Sequence, residues 1–295
     1  MSNILAVGIA TLDIINTTNG FPQEDDEVRA ISQDIRRGGN ATNTLVVLSQ
    51  LGHRCEWIGC LAVDTSARLI TDDLDSYRVT YTHCEKYANG VTPTSYITLN
   101  KQNGSRTIVH YRDLPELSSA SFNNVPLEKF DWLHFEARNV DETRHMISRA
   151  INMEKAIPIS VEIEKHRENL QTLFAGADYY FFSKAFATSG SGSEYFSTAE
   201  ELLLHYRKLI PDAVLICTWG DKGAYALEND QLYYSPAPHV NSVVDTIGAG
   251  DTFIAGFIHA TLSSNEADNH LSTQLNYACT LAAKKCSTVG FKNLV

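Results

Sequence analysis

The sequence predicts an α/β fold: a central, mostly parallel β-sheet flanked by helices, with a small β-sheet lid. Three observations carry this. Short runs that are apolar throughout recur along the chain, namely WIGCLA, WLHFE, IPISVEIE, YYFFS and AVLICTW, and strands covered on both faces by helices read this way. Stretches with helical spacing fall between them, which is the alternation of wound sheets. Two polar-alternating segments, residues 13–37 and 90–112, stand outside that alternation.

In chain order, ILAVGIA (Ile4–Ala10) reads as a buried strand. NATNTLVVLSQLG (Asn40–Gly52) reads as a helix with Asn40 as its cap and a terminal glycine. Further helices are expected around Thr65–Tyr77, Glu142–Lys155 and Thr198–Leu209. SYITLN and RTIVHY form a hairpin joined by KQNGS, whose Asn-Gly dipeptide is a turn signal. With residues 13–37 they build either a lid or an antiparallel extension of the main sheet. From Gln231 the expectation is a strand at Leu232–Ser235, a strand at Val240–Thr246, a glycine turn and two helices. Phe253, Ile254, Phe257, Ile258 and Leu262 recur at helical spacing, the signature of a core-facing stripe.

Composition narrows the function. The chain has 295 residues, enough for one such core with an added element. Its formal charge is -11, and basic residues cluster no further than Arg36-Arg37 and Lys284-Lys285. A nucleic-acid surface needs a positive stripe, so nucleic acid is excluded as a partner. No uncharged run approaches the length of a membrane span, and MSNILAVGIATLDII lacks a basic stretch before its apolar run. The chain is therefore expected to be cytoplasmic, without a membrane partner. Six cysteines without a C-x-x-C pair read as reduced thiols, and ten scattered histidines without H-E-x-x-H do not suggest zinc.

Four constellations carry chemistry. In VVDTIGAGDTF, Gly248, Ala249 and Gly250 stand at the mouth of an apolar helix, followed by Asp251. Unpaired amides and the helix dipole favour an anion there, so Asp251 is either a simple cap or a base beside a phosphate. No P-loop pattern G-x-x-x-x-G-K-S/T occurs. In RRGGNATN, Gly38-Gly39 permits close backbone approach, and Asn40 and Asn43 share a helical face suited to hydroxyl groups. In LDII, Asp13 follows the first strand, where wound sheets bind ligands or where a structural loop aspartate sits. Arg106 in GSRTI is free to reach a ligand or solvent. Glu162 and Glu164 in VEIEK either hold Mg²⁺ through water or form a surface salt-bridge patch.

Together these stretches resemble the ribokinase-like (PfkB) family of sugar kinases. DTIGAGDTF matches its carboxy-terminal signature and RRGGNATN its amino-terminal one. LDII, FPQEDDEVRAIS, GSRTI, FEARN, SVEIEK, FFSK, CTWGDKGA and AAKKC extend the similarity from end to end, closest to ketohexose-phosphorylating members. The resemblance implies one ribokinase-like domain over residues 1–295 with ATP as co-substrate and Mg²⁺ as cofactor. Asp251 would be the catalytic base, with Gly248, Ala249 and Gly250 as the anion hole. Asp13, Gly39, Asn40 and Asn43 would bind the sugar. Arg106 and the segment Trp219, Gly220, Asp221, Lys222 and Gly223 would meet ATP. Relatives suggest a potassium-type ion (K⁺) near Asp245 and the Cys286–Gly290 loop. They also suggest a homodimer joined through the lids, with Asp25 of the second copy reaching the sugar.

GDKG is less acidic than the resemblance leads one to expect, and AFATSGSGSEYFS (Ala185–Ser197) departs from it. Another kinase of this fold, acting on ribose, a nucleoside or a phosphorylated sugar, is the main alternative. A non-catalytic sugar sensor is the other. A phosphorylated substrate calls for basic residues near Asn40 and Arg106, and none is evident from the sequence.

Overall fold

The computed structural model describes residues 1–190, 194–263 and 270–295. Residues 191–193, inside the divergent stretch Ala185–Ser197, lie outside the described residues. The chain opens with β1 (Asn3–Val7), β2 (Thr11–Thr18), β3 (Ser32–Gly38), α1 (Asn40–Gln50), β4 (Arg54–Ile58), β5 (Cys60–Ala62) and α2 (Thr65–Ser76). It continues through β6 (Val79–Thr80), β7 (Glu85–Tyr87), β8 (Thr94–Asn100), β9 (Arg106–Tyr111), α3 (Ser119–Phe122), β10 (Trp132–Glu136), α4 (Val140–Ile151) and β11 (Ile159–Ile163). The last part holds β12 (Tyr179–Ser183), α5 (Lys184–Ser189), α6 (Ala199–Arg207), β13 (Val214–Thr218), β14 (Ala224–Glu228), β15 (Gln231–Ser235), α7 (Ala249–Ser263) and α8 (Leu271–Cys286).

Nine strands form the main sheet in the order β15-β14-β13-β12-β11-β10-β1-β4-β6. The run from β6 to β13 is parallel, and β14 and β15 close one edge antiparallel. Strand alternation divides the core. On β10, Leu133 and Phe135 join the apolar cluster that includes Met146 and Ile147 of α4 and Leu202 of α6. Trp132 joins the opposite cluster, with Leu45 of α1, Phe257 of α7 and Leu275 of α8. His134 and Glu136 share the Trp132 face by period two and are also buried. A polar strip thus runs up this face to the carboxyl ends of the parallel strands, where wound sheets bind ligands.

The two segments outside the alternation meet in a separate four-stranded sheet, ordered β3-β2-β8-β9. It is not an extension of the main sheet. β8 and β9 pair antiparallel, as the Asn-Gly hairpin predicts, while β2 and β8 pair parallel. β5 and β7 form a further short parallel pair.

Two local expectations are corrected. The cap of α1 is Gly39, not Asn40. Gly39 has φ +106, and a Cβ there would run into the carbonyl of Ile9. Asn40 is thereby released from capping and turns its amide to Glu162. Second, Val240–Thr246 forms no strand. The amides of Val244 and Asp245 instead donate to the Cys286 carbonyl at 2.8 and 3.2 Å. Val243 and Val244 are exposed, so the β-branched run borders an open cavity rather than a neighbouring strand.

Gly39→Ala is expected to destabilise the protein by about 1–3 kcal/mol, because it forces a Cβ into positive-φ backbone against the Ile9 carbonyl. Thermal denaturation checks this. An unchanged melting temperature would contradict the steric argument.

Candidate active site

Asp251 lies in the first turn of α7 and is buried. Its Oδ2 accepts a hydrogen bond from Asn43 Nδ2 at 2.7 Å, reaching across from α1. The Asn43 amide is oriented in turn: its Oδ1 accepts from the Arg37 guanidinium at 2.7 Å. Arg37 is anchored by Asp73 of α2 at 2.7 Å and Thr42 at 2.9 Å. Asp13, also buried, accepts from the Thr11 hydroxyl at 2.8 Å.

Gly248, with φ +81, packs where a Cβ would strike the Phe291 ring, which pins the turn before α7 to the carboxy-terminal segment. Ala249 N–H is engaged with the Thr246 carbonyl at 3.3 Å. The uncommitted backbone donors here, among the described residues, are Gly248, Gly250 and Asp251 N–H. The expected three-residue anion hole therefore has two free donors of its own, Gly248 and Gly250, with Asp251 N–H beside them.

Ala249 and Gly250 border a cavity of about 610 Å³ whose wall also includes Arg106, Gly220, Asp221 and Gly223. Arg106 donates to the Thr246 hydroxyl at 3.3 Å. Trp219 and Lys222 do not line this cavity. Trp219 is buried, with the Lys184 ammonium 5.8 Å from its ring centre, and its amide donates to Gly223 to close the turn. The sequence reading missed the apolar wall formed by Cys279, Ala282, Ala283 and Cys286. Those positions recur at i, i+3, i+4 and i+7 of α8, so a stripe of small residues was the available signal.

Glu162 and Glu164 do not line this cavity. Asn40 Nδ2 donates to Glu162 Oε1 at 2.9 Å and approaches Glu164 Oε2 at 3.5 Å. Both belong to the Asn40 side of the site, and Glu162 Oε2 is buried without a partner. Glu136, absent from the sequence reading, accepts from the amides of Ile9 and Ala41 at 3.1 and 2.8 Å. It does for α1 what Gly39 has no side chain to do. Arg138, Lys165 and Arg167 line a small cavity with Asn40. Basic residues near Asn40 do exist, contrary to the sequence expectation, because loops after two different strands converge there. Glu136, Glu162 and Glu164 line the same cavity.

Crowded carboxylates shape the titration. Burial raises Asp251 to about 7, aided by Glu164 and Glu136 and opposed by the Asn43 hydrogen bond and Arg37. Burial likewise raises Glu136 to about 7. Glu162 is raised by burial and by Asp251.

Asp245, the expected cation ligand, is filled by groups of this chain. Its Oδ2 accepts from Arg36 at 2.9 Å, Lys285 Nζ at 3.1 Å and Gly290 N at 3.0 Å, and its Oδ1 from Ile247 N at 2.9 Å. Burial alone would raise this carboxyl, but Arg36 and Lys285 hold it below its ordinary value. Oδ2 is thereby committed to groups of this chain, while Oδ1 accepts from Ile247 N alone. Asp25 lies exposed in the β2–β3 connection, with φ +69.

The family model for pfkB family carbohydrate kinases matches residues 1–294. The chain is similar to ketohexokinase from Mus musculus, 39% identical over 99% of this chain and 98% of that one. Its fold is similar to a putative ribokinase from Agrobacterium tumefaciens, with TM-score 0.83, 20% identity and coverage of 98% and 92% of the two chains. It is also similar to Arabidopsis thaliana ribokinase complexed with ribose and ATP, with TM-score 0.78, 20% identity and coverage of 98% and 94%.

A carboxyl raised on folding contributes stability that is present at low pH and lost as pH rises through its folded value. Asp251→Asn is therefore expected to raise the melting temperature at pH 8 by at least about 2 °C, with a clearly smaller gain at pH 5 that vanishes only below the ordinary carboxyl range, under about pH 4. A gain that is equal at both values would contradict the buried-charge argument.

Proposed function

Because the chain belongs to the pfkB family of carbohydrate kinases, we propose that it phosphorylates a ketohexose with ATP, taking D-fructose to fructose 1-phosphate. The observation that carries this reading is the Asn43–Asp251 hydrogen bond at 2.7 Å. It sets a buried carboxylate between the polar side holding Asp13, Gly39, Asn40 and Asn43 and the helix start that borders the Arg106 cavity.

The roles follow from chemistry. Asn40, Asn43 and Asp13 offer donors and acceptors to sugar hydroxyls. Asp251 accepts the proton of the attacking hydroxyl as its oxygen bonds to the γ-phosphorus, and the bond to the β-phosphate oxygen breaks to release ADP. Backbone amides at Gly248 and Gly250, the α7 dipole and Arg106 stabilise charge spread over the phosphoryl oxygens. Base and anion hole adjoin in sequence because they act on opposite ends of one forming bond. Gly220, Asp221 and Gly223 border the nucleotide, while Trp219 and Lys222 shape the turn from behind.

Mg²⁺ accompanies the nucleotide and neutralises phosphate charge. Asp221 is the only carboxylate lining the large cavity among the described residues, so the donor set does not form a Mg²⁺ site of its own. Glu136, Glu162 and Glu164 stand among Arg138, Lys165 and Arg167 in the Asn40 cavity.

The four-stranded sheet acts as a lid and as the dimer surface. Register sets Ile35, Ile14, Tyr96 and Val109 in one row across its four strands. Ile35, Tyr96 and Val109 are 49, 51 and 65% exposed. An apolar row of this kind suits a second copy, which would bring its own Asp25 to the sugar. No helix among the described residues is long and apolar enough to cross a membrane, and ATP use places the enzyme in the cytoplasm.

ADP release with ATP, Mg²⁺ and a sugar panel tests the reading, with the phosphorylated carbon assigned by NMR. Asp251→Asn should lower turnover by about 10²–10⁴, and the wild-type kcat/KM should fall as pH drops below about 7. Turnover on another sugar would sink the ketohexose assignment, and binding without turnover would make the protein a sensor. Val109→Asp should convert the dimer to monomer in sedimentation, and an unchanged dimer would exclude the lid surface.

A further inference from the structure

Asn40 and Asn43 stand three positions apart on α1, and the protein holds them by opposite ends. Asn43 is held by its oxygen, which accepts from Arg37 at 2.7 Å and leaves its nitrogen to donate to Asp251. Asn40 is held by its nitrogen, which donates to Glu162 Oε1 at 2.9 Å and approaches Glu164 Oε2 at 3.5 Å. Turned over, the Asn40 amide would set Oδ1 facing the oxygens of both acids, acceptor against acceptor. Because Gly39 caps α1, the Asn40 side chain has no capping bond to make. Its Oδ1 accepts no hydrogen bond among the described residues.

Glu162 is built to hold that nitrogen. It lies in β11, in register with Glu136 of β10, so strand pairing fixes its backbone. Its side chain is buried and makes one hydrogen bond among the described residues, the one to Asn40. Its second oxygen is buried without a partner. A buried carboxyl with a single hydrogen bond costs stability, and its presence calls for a functional account.

We propose that Glu162 is a positioning residue for sugar binding: it holds the nitrogen end of Asn40 and so leaves the Asn40 oxygen to accept from a sugar hydroxyl. This rests on the sugar-kinase reading above. Asn40 then reads its hydroxyl as an acceptor alone, while Asn43 spends its nitrogen on Asp251. A sugar without a donor at that position leaves the Asn40 oxygen unpaired and is rejected for it.

Steady-state kinetics with fructose and ATP, run as a double-mutant cycle at pH 8, tests this. That pH lies above the Asp251 value of about 7, so the base is ionised in every variant. Asn40→Ala and Glu162→Ala should each raise the KM for fructose about tenfold, with kcat and the KM for ATP changing less than about threefold. In the Asn40→Ala background, Glu162→Ala should add less than about twofold, because its effect passes through Asn40. Glu162→Gln, which keeps an oxygen for the Asn40 amide, should stay within about threefold of the wild type. A merely structural glutamate would lower the melting temperature and leave the KM in place, or act with equal strength in the Asn40→Ala background. Either result overturns the proposal while the kinase reading stands, as does a loss in Glu162→Gln as large as in Glu162→Ala. The side-chain NH₂ signal of Asn40, identified by its absence in Asn40→Ala, should exchange with water more slowly in the wild type than in Glu162→Ala. Equal exchange overturns the orientation. If Glu162→Ala does not fold, Glu162→Leu, which fills the space without an acceptor, is read by the same criteria. A wild type that phosphorylates no sugar overturns the kinase reading, and this proposal with it.

Discussion

One chain of hydrogen bonds, Asp73–Arg37–Asn43–Asp251, joins four elements of this protein. Each link is 2.7 Å long. It runs from α2 through strand β3 of the small sheet and the start of α1 to the first turn of α7. Arg37 takes the Asn43 carbonyl oxygen, which leaves the Asn43 amide nitrogen to face Asp251. The donor thus supports the carboxylate without neutralising it. A buried carboxylate with a neutral donor and acidic neighbours holds its proton until about pH 7. That is the range in which a base can both accept a proton and be free to do so.

The electrostatics of the site are local rather than global. In a chain of formal charge -11, any positive potential has to be gathered at short range. Arg106 and the uncommitted amides at the start of α7 stand together at one end of the site. Arg36 and Lys285 balance Asp245 directly behind them. At the other end, Glu136, Glu162 and Glu164 share the Asn40 cavity with Arg138, Lys165 and Arg167.

The legible parts of this site are those whose geometry is local. Gly248 to Asp251 and Gly38 to Asn43 place their groups through a turn and the first turn of a helix, and residue type and spacing settle such geometry. Reading failed where a partner distant in the chain decided the outcome. Val240–Thr246 has the composition of a strand, but its amides are claimed by Cys286, which is more than forty positions away. The partners of Glu162, Glu164 and Asp245 also come from distant parts of the chain: Asn40 donates to the first two, and Arg36 and Lys285 to the third.

The sequence by itself determined the wound α/β class, the separate small sheet's hairpin and the place of Asp251 at a glycine-bounded helix start, because periodicity and glycine-bounded helix starts are properties of neighbouring residues. The tertiary structure alone decided what those residues face. The caps, carboxylate neighbours and ion pairs of this site come from strands and helices separated by scores of residues, and in a parallel sheet only the strand order brings their ends together. Whether a carboxylate is a base, a bystander or half of an ion pair depends on burial and on the nearest charge, and neither is a property of the local sequence.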